Sequence, residues 1–104
     1  MLNLDNPDEE ILAMIRRREE YMNALLVIPE LFRIRCWSSF NKNINSNGIK
    51  LKIIDYLNKK NPKGYNYCDC ESITVAMLDL GYKARIEEKK NEYNFNYLYN
   101  VKVI

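Results

Sequence analysis

Residues 69–86 read DCESITVAMLDLGYKARI, and this stretch predicts a helix that is followed directly by a strand. Asp69 is suited to cap the helix, because its carboxylate can accept hydrogen bonds from the free backbone N–H groups of the first turn. Gly81 is the glycine expected just past a helix C-terminus. The buried side of the helix is predicted to consist of Ile73, Ala76, Met77 and Leu80.

Two alternating stretches near the end of the chain predict an antiparallel hairpin. In residues 82–87, apolar and charged side chains alternate, which is typical of a strand with one buried face. A polar turn is expected at residues 89–92, and a second alternating stretch covers residues 93–103. One face of this second strand is apolar and mostly aromatic, and it consists of Tyr93, Phe95, Tyr97, Tyr99, Val101 and Val103.

The first part of the chain predicts a long helix. Asn6 is expected to cap it, Pro7 suits its first turn, and Pro29 ends or kinks it. The basic run at residues 16–18 is interpreted as a solvated outer face. The apolar stripe of this helix is predicted to consist of Ile11, Met14, Ile15, Met22, Leu25 and Leu26.

The middle of the chain holds one ambiguous segment and one clear helix. For residues 30–40 we favour a helix starting at Pro29, although the alternation in residues 32–36 also fits a strand. Ser46 can cap the next helix, which a turn at residues 61–64 ends. The predicted fold class is therefore α+β: one domain over residues 1–104, with three to four helices followed by a C-terminal antiparallel β-hairpin.

The sequence has no histidine, which excludes Ser-His-Asp and Cys-His catalytic sets and the HExxH zinc motif. Its three glycines are scattered, so no phosphate-binding loop is expected, and we predict neither a metal nor a cofactor. Three cysteines (Cys36, Cys68 and Cys70) and no export signal predict free thiols in a reducing, cytoplasmic compartment. No apolar stretch approaches the roughly 20 residues of a membrane span, so no membrane partner is predicted.

Residues 64–86 resemble the nucleophile-helix segment of transglutaminase-like and papain-type cysteine enzymes. In that superfamily a glycine-containing loop leads into a triplet such as Asp-Cys-Glu at a helix N-terminus, and the helix exits through Leu-Gly-Tyr into a strand containing Ala-Arg. The resemblance places Cys70 at the nucleophile position, where the helix N-terminus would favour a thiolate. The family histidine has no counterpart here, so the resemblance implies a degenerate or minimal relative.

Two functional hypotheses are alternatives to the leading one. In the first, Cys70 is the nucleophile of a degenerate or minimal cysteine enzyme. We favour the interpretation of Cys70 as a small buried apolar residue, and no catalytic residue is then expected. In the second, the protein binds nucleic acid, either as a winged helix that uses the helix of residues 69–80 or through a lysine patch. The patch would consist of Lys50, Lys52, Lys59, Lys60 and Lys63.

The leading hypothesis is a small non-enzymatic module that binds another protein. It follows from the excluded chemistry and from the tyrosines of the last strand, because tyrosine provides contact area and hydrogen bonding at low entropic cost. The asparagine- and lysine-rich composition suggests an AT-rich genome, as is typical of a phage or mobile element, and hence an inhibitor or adaptor that acts on a host protein. The predicted partner-binding residues are Tyr93, Phe95, Tyr97, Tyr99, Trp37 and Arg35.

Overall fold

A computed structural model of the protein describes residues 2–36, 39–87 and 96–104. Among these residues lie four helices, namely α1 (Glu9–Arg16), α2 (Glu19–Leu31), α3 (Ser46–Lys60) and α4 (Cys70–Asp79). The strands are β1 (Phe32–Ile34), β2 (Ala84–Ile86), β3 (Tyr97–Tyr99) and β4 (Val101–Val103). The α+β prediction and the antiparallel strands near the C-terminus are confirmed.

Helix α4 is the centre of the molecule. All six residues from Ser72 to Met77 are buried, because α1, α2, α3 and the strands β2 and β3 pack around this helix. Asp69 caps it as predicted, with its Oδ1 accepting a hydrogen bond from the Ser72 backbone N–H at 3.3 Å. Gly81 follows the helix with a φ of 94°, a left-handed conformation that favours glycine. The largest fully buried side chains around α4 include Ile15, Ile28, Phe32, Ile49, Ile53, Ile73, Met77 and Tyr99.

The prediction of one long first helix is wrong, because the chain breaks between α1 and α2. Arg18 adopts an extended conformation and begins α2, and Asp8 instead of Asn6 caps α1 by accepting a hydrogen bond from the Glu10 N–H. Much of the predicted stripe faces solvent. The exposed members are Ile11, Met14, Met22 and Leu26, whereas Leu12, Tyr21, Ala24, Val27 and Ile28 are buried.

The favoured helix starting at Pro29 is also wrong. Pro29 lies in the last turn of α2, and the chain becomes extended at Phe32 to form β1. β1 pairs with β4 at the far end of the chain, with Phe32 opposite Val103. The alternation in residues 32–36 was compatible with a strand, and the pairing with β4 is what makes this segment a strand. No local pattern in the sequence encodes this long-range pairing.

The predicted hairpin is present as the antiparallel pair of β2 and β3, in which Ala84 lies opposite Tyr99. The second strand is not continuous, because the chain bends at Asn100 and β4 leaves β3 to pair with β1. The side-chain oxygen of Asn100 accepts a hydrogen bond from the Lys83 backbone N–H at 2.7 Å. The backbone carbonyl of Asn100 accepts a hydrogen bond from the Arg35 backbone N–H at 2.8 Å. The change of sheet ends the alternation of buried and exposed residues, so residues 97–101 are all buried.

Helix α3 packs on α2 and α4 through Ile49 and Ile53. Its cap is Asn45, whose side chain accepts a hydrogen bond from the Gly48 N–H at 3.0 Å, and not Ser46 as predicted. Ser46 is buried and its hydroxyl accepts a hydrogen bond from the Tyr97 N–H at 3.0 Å, which ties the start of α3 to β3. None of the helices in the described part of the chain has the length and apolar character needed to cross a membrane.

Candidate functional site

Cys70 is the first residue of α4 and is half-buried, in the position that the sequence analysis assigned to it. The ammonium of Lys50 and the hydroxyls of Tyr97 and Tyr99 are near enough to interact electrostatically with its thiol. Tyr97 lies on β3 and is buried, and burial raises its pKa. A phenol of this kind is a poor general base near neutral pH, so these neighbours do not replace the histidine of a cysteine enzyme.

A buried polar network lies behind Cys70. The Thr74 hydroxyl donates to the Cys70 carbonyl at 2.8 Å and lies 2.6 Å from the Tyr99 hydroxyl. Tyr99 is fully buried, which raises its pKa strongly. Because each hydroxyl is used inside the protein, this network holds β3 on α4 and offers nothing to a ligand.

The other two cysteines differ sharply in their surroundings. Cys68 is fully buried, and this burial raises its pKa to about 12, so its thiol stays protonated. Cys36 is exposed. Among the described residues there is no group of three histidine, cysteine or carboxylate side chains that could hold a metal ion.

Two arginines from the predicted solvated run instead bind α4. The Arg16 guanidinium makes two hydrogen bonds to the Asp79 carboxylate, at 2.7 and 2.9 Å, which hold the pKa of Asp79 below its usual range. Arg18 reaches the other end of α4 and lies 3.2 Å from carboxylate oxygens of both Asp69 and Glu71. These pairs fix α1 and α2 on the central helix, a role that the residue types alone did not indicate.

The predicted partner-binding residues are not gathered on one surface. Tyr97 and Tyr99 are buried against α3 and α4, so they belong to the core and present no surface to a partner. Arg35 is exposed. Trp37, Tyr93 and Phe95 lie outside the described residues, as does the polar turn expected at residues 89–92.

Among the residues that the structure describes, the exposed tyrosines are Tyr65 and Tyr67, in the segment that enters α4, with exposed fractions of 51% and 42%. Asn23 of α2 fixes this segment, because its side-chain amide donates to the carbonyls of Tyr65 at 2.9 Å and Tyr67 at 3.0 Å. On the other side Asn66 donates to the Asn61 carbonyl at 2.7 Å. The two phenol rings therefore project from a backbone that α2 and the end of α3 hold in place.

Two exposed apolar residues of α2 lie beside Asn23. Met22 and Leu26 are one helical turn apart, and their exposed fractions are 45% and 66%. We refer to Met22, Leu26, Tyr65 and Tyr67 together as the tyrosine surface. Carboxylates border it on the α2 side, since the charged residues within this helix are Glu19, Glu20 and Glu30.

Lys50 borders the tyrosine surface on the α3 side. Its ammonium donates to the Tyr67 hydroxyl at 3.2 Å and lies 4.9 Å from the centre of the Tyr67 ring. This hydrogen bond raises the pKa of Lys50. Lys50 is therefore separate from the other lysines of the predicted patch, of which Lys52 and Lys59 lie on the opposite flank of α3 beside Tyr56.

The winged-helix alternative does not fit the burial of α4. A recognition helix must present its side chains to a DNA groove, but Ser72 and Thr74 are completely buried. Helix α4 is enclosed by the other three helices and by β2 and β3. The lysine patch is then the part of the nucleic-acid hypothesis that is compatible with this fold.

Comparison of the chain with protein-family models, with curated proteins and with solved structures gives no match. The resemblance of residues 64–86 to the transglutaminase-like nucleophile segment therefore stays a prediction. The tyrosine surface and the surroundings of Cys70 carry the functional argument by themselves.

Proposed function

We propose that this chain is a small non-enzymatic protein-binding module and that its partner docks on the tyrosine surface. The observation that carries the proposal is the pair of exposed tyrosines, Tyr65 and Tyr67, on a backbone that Asn23 fixes at both carbonyls. Tyrosine is enriched at the energetic centres of protein interfaces, and a fixed backbone lowers the entropy lost on binding.

The charges around the tyrosine surface define the chemistry of the partner. Met22 and Leu26 supply the apolar centre, and the carboxylates of Glu19 and Glu30 flank them on the same exposed side of α2. A complementary partner has an apolar segment flanked by lysine or arginine. A module that acts through binding alone suits the role of inhibitor or adaptor for another protein.

Selection from a displayed random peptide library, with the immobilised protein as bait, tests this proposal. The enriched peptides should carry apolar residues flanked by lysine or arginine. Their affinity, measured by calorimetry, should fall roughly ten-fold or more for Leu26→Glu and for Tyr67→Ala, as expected when a central interface side chain is removed.

Ile34→Glu is the matched control. Ile34 is a half-exposed apolar residue of β1. Its side chain lies beside Gly81, with the Cδ1 atom 3.7 Å from the position that a Cβ atom on Gly81 would occupy. Gly81 follows the C-terminal end of α4, whereas Tyr67 precedes its N-terminal end. Equal losses of affinity for Leu26→Glu and Ile34→Glu would contradict the proposal, as would enriched peptides without basic residues.

A cysteine-dependent activity at Cys70 is the second candidate function. It is favoured by one observation, the half-exposed thiol at the N-terminus of a capped helix. The discriminating measurement is the rate of Cys70 alkylation at pH 7 against that of glutathione. We expect Cys70 to react no faster than glutathione, and a markedly faster reaction would favour the enzyme.

A further inference from the structure

A surface cavity of about 250 Å³ lies between α3 and the end of β4. The apolar part of its lining comes from Leu31, Val103 and Ile104, and the half-buried ring of Tyr56 forms an aromatic wall. Two exposed lysines, Lys52 and Lys59, stand at its rim together with the exposed carboxylate of Asp55, so these three side chains carry a net positive charge. An apolar and aromatic cavity with a cationic rim suits a flat aromatic ligand that carries negative charge.

The basic side chains extend beyond this cavity. Lys60 also belongs to this end of α3, and its ammonium lies 5.6 Å from the centre of the Tyr56 ring. Lys63 follows in the exposed turn after the helix. We refer to Lys52, Lys59, Lys60 and Lys63 as the lysine face. From Lys52 to Lys60 it runs about 12 Å along the helix at 1.5 Å per residue.

Negative charge on the lysine face is small. Asp55, the single acidic residue between positions 42 and 65, lies 2.9 Å from the Lys59 ammonium and is widely exposed. The remaining three lysines of the face make no ion pair within 4 Å among the described residues. A row of cations on one helix flank is the arrangement that follows a phosphate backbone.

We propose that the lysine face and the Tyr56 cavity form a binding site for single-stranded nucleic acid. One unstacked base would enter the cavity against the Tyr56 ring, and the neighbouring phosphates would lie along the lysine face. A single strand is favoured over a duplex because only unpaired bases are free to stack on an aromatic side chain in a cavity. The site lies on the opposite flank of α3 from Lys50 and the tyrosine surface, and it does not depend on the proposed protein partner.

Fluorescence anisotropy with a labelled single-stranded oligothymidine and with a duplex of equal length tests the site. We expect tighter binding of the single strand. With four phosphate contacts the salt slope on a single strand is about −3, so raising the salt from 50 to 200 mM should weaken binding about fifty-fold. Tighter binding of the duplex would overturn the proposal, as would an affinity that does not fall with salt.

Two double variants of equal charge change separate a site from general electrostatics. Lys52→Gln with Lys60→Gln should reduce the salt slope by about 1.4, the share of two phosphates. Arg17→Gln with Lys42→Gln removes two exposed cations from outside the lysine face and should leave the slope unchanged. Thermal melting shows whether each variant remains folded, and equal effects of the two double variants would overturn the proposal.

Tyr56→Leu tests the cavity itself. The substitution retains an apolar side chain but removes the stacking surface, so affinity for the single strand should fall about five-fold or more while the salt slope stays the same. An unchanged affinity in a folded Tyr56→Leu protein would overturn the role of the cavity. Displacement of the oligothymidine by polyglutamate at equal charge concentration would indicate an acidic protein ligand and also overturn the proposal.

Discussion

The buried contact between Thr74 and Tyr99 gives the sharpest prediction about stability. A hydroxyl carries a single proton, and that of Thr74 is donated to the Cys70 carbonyl at 2.8 Å. The Tyr99 hydroxyl, 2.6 Å away, must therefore be the donor to Thr74. Thr74→Val removes the acceptor and Tyr99→Phe removes the donor, each with little change of shape.

The two substitutions should have different costs. Tyr99→Phe leaves the Thr74 hydroxyl still bonded to the Cys70 carbonyl, so it should lower the free energy of unfolding by about 1 kcal/mol. Thr74→Val removes the acceptor 2.6 Å from the buried phenol and leaves Ser46 as its other hydroxyl neighbour, which should cost about 2 kcal/mol. The double variant removes both groups and should cost about 1 kcal/mol less than the sum of the single costs.

Urea unfolding followed by circular dichroism measures all three variants. With a slope of about 1.5 kcal/mol per molar urea for a chain of this size, Thr74→Val should lower the midpoint by about 1.3 M. Costs that add to within about 0.3 kcal/mol would refute the direct hydrogen bond. A Tyr99→Phe protein more stable than the wild type would refute it as well.

Three further predictions concern other parts of the fold. Asp79→Asn should lower the free energy of unfolding by about 1 kcal/mol at pH 7. Hydrogen bonds with Arg16 lower the pKa of Asp79 in the folded protein, so this stabilisation is full above the unfolded pKa and is lost as the pH falls through the folded pKa. Chemical unfolding should therefore show the difference in stability between the two proteins closing below pH 4. At pH 8 a thiol reagent followed by mass spectrometry should label Cys36 and spare Cys68, since a pKa of about 12 leaves about one thiolate in ten thousand, and equal labelling rates would contradict this. Gly81→Ala should lower the melting temperature by about 4–8 °C, because holding a residue that has a Cβ atom at a φ of 94° costs about 1 kcal/mol of folding free energy. An unchanged melting temperature would contradict the left-handed conformation at this position.

The sequence predicted the parts of the fold that are encoded locally. Asp69 as the cap, Gly81 as the C-terminal glycine and the strand that follows are all adjacent in the chain, and each follows from its own residue type. The pairing of β2 with β3 joins neighbouring strands, so local alternation was sufficient to predict it.

The parts that were not predicted depend on contacts distant in sequence. β1 exists because β4 lies beside it, and the pattern at Pro29 carries no information about that strand. Arg18 is extended between α1 and α2 and reaches Asp69 and Glu71, more than fifty positions later. Such pairings are tertiary effects that override local propensity.

The candidate sites show the same division. The position of Cys70 at the start of α4 was predicted, because it follows from the adjacent cap. Tyr97 and Tyr99 were predicted to contact a partner but are buried, because alternation indicates which side chains share a face but not whether both faces become covered. Tyr65 and Tyr67 lacked any periodic signal, and it is tertiary hydrogen bonds, such as those from Asn23, that show they are held in place.

Site-specific photo-crosslinking tests the central claim, that the tyrosine surface is where a protein partner docks. A benzophenone amino acid is placed at Leu26 in one protein and at Ile34 in another, and each is irradiated in a lysate of the source cells. We expect one dominant crosslinked protein from position 26, joined through a segment rich in lysine or arginine, and we expect it to be lost when Tyr67→Ala is added. The same crosslinked product from both positions, or none from position 26 while position 34 yields one, would contradict the claim.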